Sequence, residues 1–413
     1  MPNVPNVPMN QMEKSEIENR KSKIGITAPR GFRATGVACG LKKTGALDLA
    51  LVVSDRDCAC AGMFTTNRVQ AAPVVYDRAT LAQNNRAIRA VIVNSGCANA
   101  CTGDDGLADT RVTADETARA LGVRAEQVLV MSTGVIGQRL PMEKIRAGIA
   151  QAAPRVLPEG GADASRAIMT TDTRPKVFAI CNSQFAIGGM CKGAGMIHPN
   201  MATMLSVITT DAKIAPELLD RALRVAVNQS FNCISIDGDM STNDTVLLLA
   251  NGASGTEIGE LEIGDFTAVL TQVCTNLAQQ LVRDGEGVTK FVEIVVSGAR
   301  EESEAVRVAK SIANSPLVKT ALYGGDANWG RVVCAAGYSG VAVEPAKMKL
   351  WFGDVNVFAN GMPTNFDEAD STRALSGKDV FIRLDLGTGS AQTKVWTCDL
   401  SHDYVTINGK YRT

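Results

Sequence analysis

The stretch Gly188-Gly189-Met-Cys-Lys192-Gly193-Ala-Gly195-Met-Ile-His198-Pro199 sets the tightest limit on what this chain can become. Glycines crowd around a single lysine, and each would cost a helix interior about 1 kcal/mol relative to alanine. Regular helix is disfavoured there, and backbone turns that other residues resist become available. The pattern changes abruptly at Met204-Leu-Ser-Val-Ile-Thr-Thr210, where β-branched and apolar residues read as a strand. Irregular backbone therefore leads into a strand start at Ala202-Thr203. Taken alone, such an Ala-Thr pair is only the opening of a buried strand.

Elsewhere, helix-like and strand-like patterns alternate in blocks. Leu49–Ser54, Ala71–Tyr76 and Ala90–Asn94 read as short strands between Gly, Asn and Asp turns. Thr113-Ala-Asp-Glu116 has the form of a capping box opening a helix that Gly122 closes, and Leu140–Ala153 is a second helix with Pro141 in its first turn. Gln127–Ser132 reads as a buried strand. Lys176–Cys191 holds two strands around a hairpin turn at Asn182-Ser183. Glu217–Val227 and Phe266–Val282 are amphipathic helices, whereas Phe291–Val296 and Val380–Leu384 are strands. The class that follows is α/β in the mixed, α+β sense, with helices layered on mixed β-sheets. The 413 residues suffice for two or three domains around a sizeable core. Residues 1–23 carry no apolar periodicity and read as a flexible N-terminal extension.

Lys and Arg number 42 against 43 Asp and Glu, a net charge of −1, so nothing favours nucleic acid or an acidic membrane as partner. No apolar run reaches the roughly 18 residues of a membrane span, and the first residues lack the apolar stretch of a secretory signal. A soluble, cytoplasmic protein is expected. Eleven cysteines, an odd number, read as reduced thiols. Cys58-Ala-Cys60 and Cys97-Ala-Asn-Ala-Cys101 lack the usual zinc spacing, and with only two histidines no metal site is expected. Of those two, His198 beside Pro199 reads as a turn residue and His402 as a solvated one. There is no Gly-x-Ser-x-Gly elbow, His-Glu-x-x-His or Walker A motif. Asp385-Leu-Gly387-Thr-Gly389-Ser390 reads as a plain hairpin turn rather than a phosphate loop.

The segment from Lys192 through Ala202-Thr203-Met-Leu closely resembles the ornithine acetyltransferase family, also called glutamate N-acetyltransferase. The resemblance extends to Met131-Ser-Thr133-Gly134-Val-Ile-Gly137, Ile168-Met-Thr170-Thr-Asp-Thr173-x-Pro-Lys176, Arg283-Asp-Gly-Glu286-Gly-x-Thr-Lys-Phe291 and Tyr404-Val-x-Ile-Asn408-Gly-x-Tyr-x-Thr413. With Asn94-Ser-Gly-Cys-Ala-Asn99 and Gly324-Gly-Asp-Ala-Asn-Trp-Gly330, these blocks cover essentially everything after residue 24.

The resemblance implies a sandwich of the N-terminal-nucleophile type and a precursor that cleaves itself between Ala202 and Thr203. An α chain of residues 24–202, preceded by the extension, and a β chain of residues 203–413 would result, assembled as a heterotetramer of two of each. Thr203 would be the nucleophile. Its freed α-amino group, with a reference pKa of about 7.7–8.0, can serve as its base at neutral pH. The small Ala202 leaves its carbonyl open to the N-to-O acyl shift that such cleavage requires. Thr133 and Gly134 are implied as the oxyanion hole, since a hydroxyl and a backbone N–H side by side suit a tetrahedral intermediate. Implied substrate contacts are Thr170, with Thr171 adjacent as the alternative, Lys192, Thr203, Glu286, Asn408 and Thr413. Lys192 suits a carboxylate and Glu286 an ammonium group.

The implied reaction moves acetyl from N2-acetylornithine to glutamate in arginine biosynthesis, without a cofactor, and many relatives also accept acetyl-CoA as donor. One rival reading is a related N-terminal-nucleophile amidohydrolase or aminopeptidase, with water as acceptor. The other is a glycine-rich scaffold whose Ala202–Thr203 junction stays intact.

Overall fold

A computed structural model of the chain describes residues 25–198 and 204–410. The extension 1–23, the junction Ala202-Thr203 and Thr413 lie outside the described residues. An eight-stranded mixed sheet runs in the order β4 (Val128–Val135), β3 (Ile88–Cys97), β2 (Leu49–Phe64), β9 (Thr245–Ala250), β7 (Leu205–Thr210), β6 (Ala186–Lys192) and β5 (Lys176–Cys181), with β1 (Phe32–Val37) paired to β2. The long β2 joins its two halves. Leu49–Val53 pairs with β3, the register breaks between Val53 and Cys58, and Ala59–Phe64 then pairs with β9. A short parallel pair, β8 (Lys213–Ile214) and β10 (Glu257–Ile258), stands apart.

Every residue of β7 and β9 is buried, as parallel neighbours covered on both faces must be. Ile208 and Leu248 point to one face, where α5 (Pro216–Asn228) and α6 (Ile263–Arg283) pack through Leu219, Leu223, Phe266 and Leu277. The alternation of strand side chains sends Val207, Leu247 and Leu249 to the other face, against Ile26, Ile168 and Ala164 of α4 (Gly161–Ala167). The helices α1 (Ala72–Gln83) and α2 (Gly103–Leu121) pack on β4, and α3 (Met142–Ala152) packs on β1 and β2. A six-stranded sheet in the order β14 (Met362–Pro363), β13 (Val355–Ala359), β12 (Lys349–Phe352), β15 (Asp379–Asp385), β11 (Phe291–Ala299), β16 (Ala391–Cys398) has its own core under α7 (Glu302–Asn314), α8 (Pro316–Gly324) and α9 (Trp329–Gly337). The fully buried Trp396 of β16 belongs instead to the first core and joins the two. Helices α10 (Glu368–Ala374) and α11 (His402–Gly409) complete the described chain.

The mixed α/β class and most of the elements read from the sequence are present, including the turn at Asn182, whose side chain accepts from the Gln184 and Phe185 N–H groups at 2.9 and 2.8 Å; β1, β9, β12, β13, β16 and α7–α9 have no counterpart in the sequence reading. Three local expectations are overturned. Ala71–Tyr76 is not a strand but the start of α1, with Pro73 in its first turn, and Asp77 on that helix accepts from the Val130 N–H at 2.8 Å. Thr113 does not open a helix, because α2 begins at Gly103. Thr110, Thr113 and Thr117 satisfy their hydroxyls on the carbonyls of Gly106, Asp109 and Thr113, one turn back. Asp385–Ser390 is no hairpin, since β15 and β16 flank β11. The loop crosses the end of β11, with Leu386 N–H donating to Ser297 O and Thr388 N–H to Gly298 O.

Candidate active site

The carboxyl ends of β4 and β6 bring Thr133 and Lys192 together: the buried Lys192 ammonium donates to Thr133 Oγ1 at 2.9 Å. Because that oxygen accepts from Lys192, its own O–H is turned elsewhere. At the adjacent Gly134, φ is +130° and a Cβ would fall 2.3 Å from the Gly96 carbonyl carbon, so no other residue fits. Behind this pair, Asn243 donates to the carbonyls of Ala98 and Ser132 at 2.7 and 2.8 Å, and Ser132 Oγ donates to Asn94 at 2.6 Å. The strand end is thus fixed from three sides.

A second pair faces it. Glu286, in the turn after α6, donates its N–H to Ala194 O at 2.8 Å, and its carboxylate lies so close to Gly195 that a Cβ there would sit 2.4 Å from Oε2. Asn408 Nδ2, on α11, donates to Glu286 Oε2 at 2.7 Å. Thr133, Gly134, Lys192, Glu286 and Asn408 line one cavity of about 300 Å³, and both Thr170 and Thr171 contribute to its wall. The Thr170 N–H donates to Asp172 Oδ2 at 2.9 Å. β7 begins beside this cavity, with Leu205 the cross-strand partner of Lys192, two residues after Thr203.

A family model for the ArgJ family matches residues 33–413. The chain belongs to the ArgJ family. The arginine biosynthesis bifunctional protein ArgJ of Symbiobacterium thermophilum is 49% identical over 398 residues, which cover 94% of this chain and 98% of that protein. Its namesake in Geobacter sulfurreducens is 48% identical, covering 93% and 99%. The mitochondrial ArgJ of Yarrowia lipolytica is 47% identical, covering 94% of each. Among solved structures, ArgJ of Bacillus halodurans is 42% identical and covers 49% of this chain and 96% of its own, with a TM-score of 0.47.

Other residues of this ArgJ-family chain lie apart from the cavity. His198 is half-buried in another groove, with Nδ1 at 3.1 Å from Asn314 Nδ2, and burial lowers its pKa. His402 is exposed and edge-on to Tyr323. Cys58 and Cys60 are buried in β2. Among the described residues no group of His, Cys, Asp and Glu is placed to hold a metal, and no helix is long and apolar enough to cross a membrane. A larger cavity of about 960 Å³, between α6, α7 and β16, gathers none of the residues singled out from sequence.

The sequence reading missed three contributors: Asn243, Asp172 and Lys176. Asp172 accepts from the Gly193 N–H at 2.7 Å and from Lys176. Burial pushes the Asp172 pKa up, but the ammonium groups of Lys176 and Lys192 outweigh it and bring it down to about 2. Burial lowers the pKa of Lys192, against the opposing pull of Asp172. The available signal for the missed pair was the Asp172–Lys176 spacing of i to i+4 inside a motif already singled out.

Proposed function

We propose that this cavity transfers an acetyl group from N2-acetylornithine to glutamate, in arginine biosynthesis, through an acetyl ester on Thr203. The observation that carries the reading is the meeting of a hydroxyl–ammonium pair, Thr133 and Lys192, with a carboxylate–amide pair, Glu286 and Asn408, across one small cavity. N2-acetylornithine offers the complementary groups: an acetyl carbonyl that becomes an oxyanion, an α-carboxylate and a side-chain ammonium. The family membership and the name of the 49% identical relative, an arginine biosynthesis bifunctional protein, support the place in arginine biosynthesis.

In this scheme the chain first cleaves itself at Ala202–Thr203, giving chains 1–202 and 203–413 that assemble two and two. The Thr203 hydroxyl then attacks the acetyl carbonyl and gives its proton to its own α-amino group. The oxyanion takes donors from the Thr133 hydroxyl and the Gly134 N–H. Accepting from an ammonium polarises the Thr133 hydroxyl and makes it the stronger donor. The C–N bond breaks, the α-ammonium returns the proton to the leaving nitrogen, and ornithine departs. Glutamate's amine attacks the ester by the same route in reverse. Lys192 spends one of its three N–H groups on Thr133 and keeps others for a substrate carboxylate, while Glu286, held by Asn408, takes the ammonium. Thr170 and Thr413 orient the remainder. No cofactor takes part, and acetyl-CoA serves as a second donor.

Incubation with acetylornithine alone, then with glutamate, tests this. One equivalent of ornithine per active site in the first mixture, and steady turnover with ping-pong kinetics in the second, are expected. Steady acetate release at a rate indifferent to glutamate would make the protein a hydrolase and overturn the reading.

A further inference from the structure

Three of the segments that line the cavity are separate in sequence: the turn 170–172 after α4, the end of β6 at 192–195, and the turn 284–286 after α6. One side chain ties them together. Lys176, the first residue of β5, is fully buried, and its ammonium pairs with both Asp172 and Asp284. Each carboxylate then holds backbone. Asp172 accepts from the Thr170 N–H at 2.9 Å and from the Gly193 N–H, directly after Lys192, at 2.7 Å. Asp284 accepts from the Thr173 N–H at 3.1 Å and from its hydroxyl, two residues before Glu286. The Glu286 N–H closes the circuit on Ala194 O.

A charge without solvent is costly to keep, and an apolar side chain of similar volume would fill the space at less cost. What an apolar side chain could not do is fix two carboxylates, and through them two backbone segments, at a set separation. We propose that Lys176, Asp172 and Asp284 are positioning residues that set the distance between the Thr133–Lys192 and Glu286–Asn408 pairs, and so the length of amino acid that the cavity accepts. They touch no substrate and act through Gly193 and Glu286. This rests on the acetyltransferase reading above, in which those two pairs hold opposite ends of one molecule.

The test compares N2-acetylornithine with N2-acetyllysine, one methylene longer. A pocket of fixed length discriminates one methylene by about 10- to 200-fold. Two variants are used, because Lys176→Met alone strands two buried carboxylates and endangers folding. Asp284→Asn keeps the shape, and Lys176→Met with Asp284→Asn removes one charge of each sign. Asp284→Asn, which keeps the Lys176–Asp172 pair, is expected to melt near the wild-type temperature, and the double, which leaves Asp172 without that partner, below it but above the single Lys176→Met. In both test variants kcat/KM for acetylornithine should fall about 10- to 100-fold, the effect of a misplacement near 1 Å, while acetyllysine loses less, so that the preference narrows. An unchanged preference in either folded variant overturns the proposal, as does full recovery in the charge-balanced double.

Hydrogen exchange followed by mass spectrometry supplies an arm that needs no activity. Peptides covering 192–198 and 284–290 should exchange faster in both variants, with the six-stranded sheet unchanged. Wild-type exchange rates there would also overturn the brace. A wild-type protein inactive on both substrates, with the exchange effect present, would instead refute the acetyltransferase reading and, with it, the role in selecting substrate length.

Discussion

The two ends of the cavity are built from different materials. Thr133 stands near the end of β4 and Lys192 at the end of β6, in contact although four strands lie between them in the sheet order; both are largely buried, and Asn243 and Asp172 fix the backbone around them. Glu286 rests on a turn, and its partner Asn408 is on α11, a helix with no buried residue. An end that stabilises a developing charge gains from donors that need not reorganise, so rigid strand ends suit it. At the other end the Glu286 backbone is braced through Ala194 and Asp284, and the part that can yield to admit one amino acid and release another is its Asn408 cover on α11. The contrast assigns chemistry to the first end and recognition to the second.

Substitutions at the two ends should therefore fail differently. The largest effect is expected at the rigid end: Thr133→Ala should lower kcat by about 100- to 1,000-fold, the usual loss for one oxyanion donor. KM should change little, because the donor acts on the transition state. At the yielding end, Glu286→Gln should raise KM for acetylornithine by about 10- to 150-fold, through loss of a charge-assisted hydrogen bond of about 1.5–3 kcal/mol. Its kcat should change far less. Steady-state kinetics on both variants would erase the contrast if the kcat and KM effects were interchanged. Asn408→Ala removes a bond from the support rather than from the substrate, and a KM rise of about 2- to 12-fold is expected, equivalent to about 0.5–1.5 kcal/mol.

Smaller effects should appear with pH. Burial lowers the Lys192 pKa, so the ammonium is lost at a lower pH than for a free lysine. Activity should fall on the alkaline side through that pKa, and a pH–rate profile of Lys192→Met should lack this limb. Asp172 titrates in the opposite range. Its pKa drops from 3.8 to about 2, so its stabilisation is complete above about pH 4 and is lost as the pH falls through about 2. Denaturant unfolding between about pH 5 and pH 2 should show this slope in wild type and a flatter one in Asp172→Asn.

The mixed α/β class was legible because buried strands such as Leu205–Thr210 are runs of apolar and β-branched residues and helices such as α6 carry a clear apolar stripe. The misread elements fail for identifiable reasons. Val74, Val75 and Tyr76 have strand propensity, but Pro73 and the tertiary bond from Val130 to Asp77 favour helix. Asp385–Ser390 has the composition of a tight turn, and composition does not encode that β11 lies between the strands it joins. The site residues came from motifs rather than from local pattern. Thr133 and Lys192 are 59 positions apart, and Glu286 and Asn408 are 122 apart, so their pairing belongs to the folded chain alone. Buried Lys176 went unnoticed because a lysine in sequence reads as surface.

Intact mass spectrometry of the wild-type protein, quenched rapidly after mixing with acetylornithine, bears most directly on the role of Thr203. The account predicts two chains divided between Ala202 and Thr203, the second of 413 − 202 = 211 residues. That second chain should carry one acetyl group on Thr203, and added glutamate should remove it. An active protein that remains one full-length chain, or turnover with no acetyl on the second chain, would contradict it.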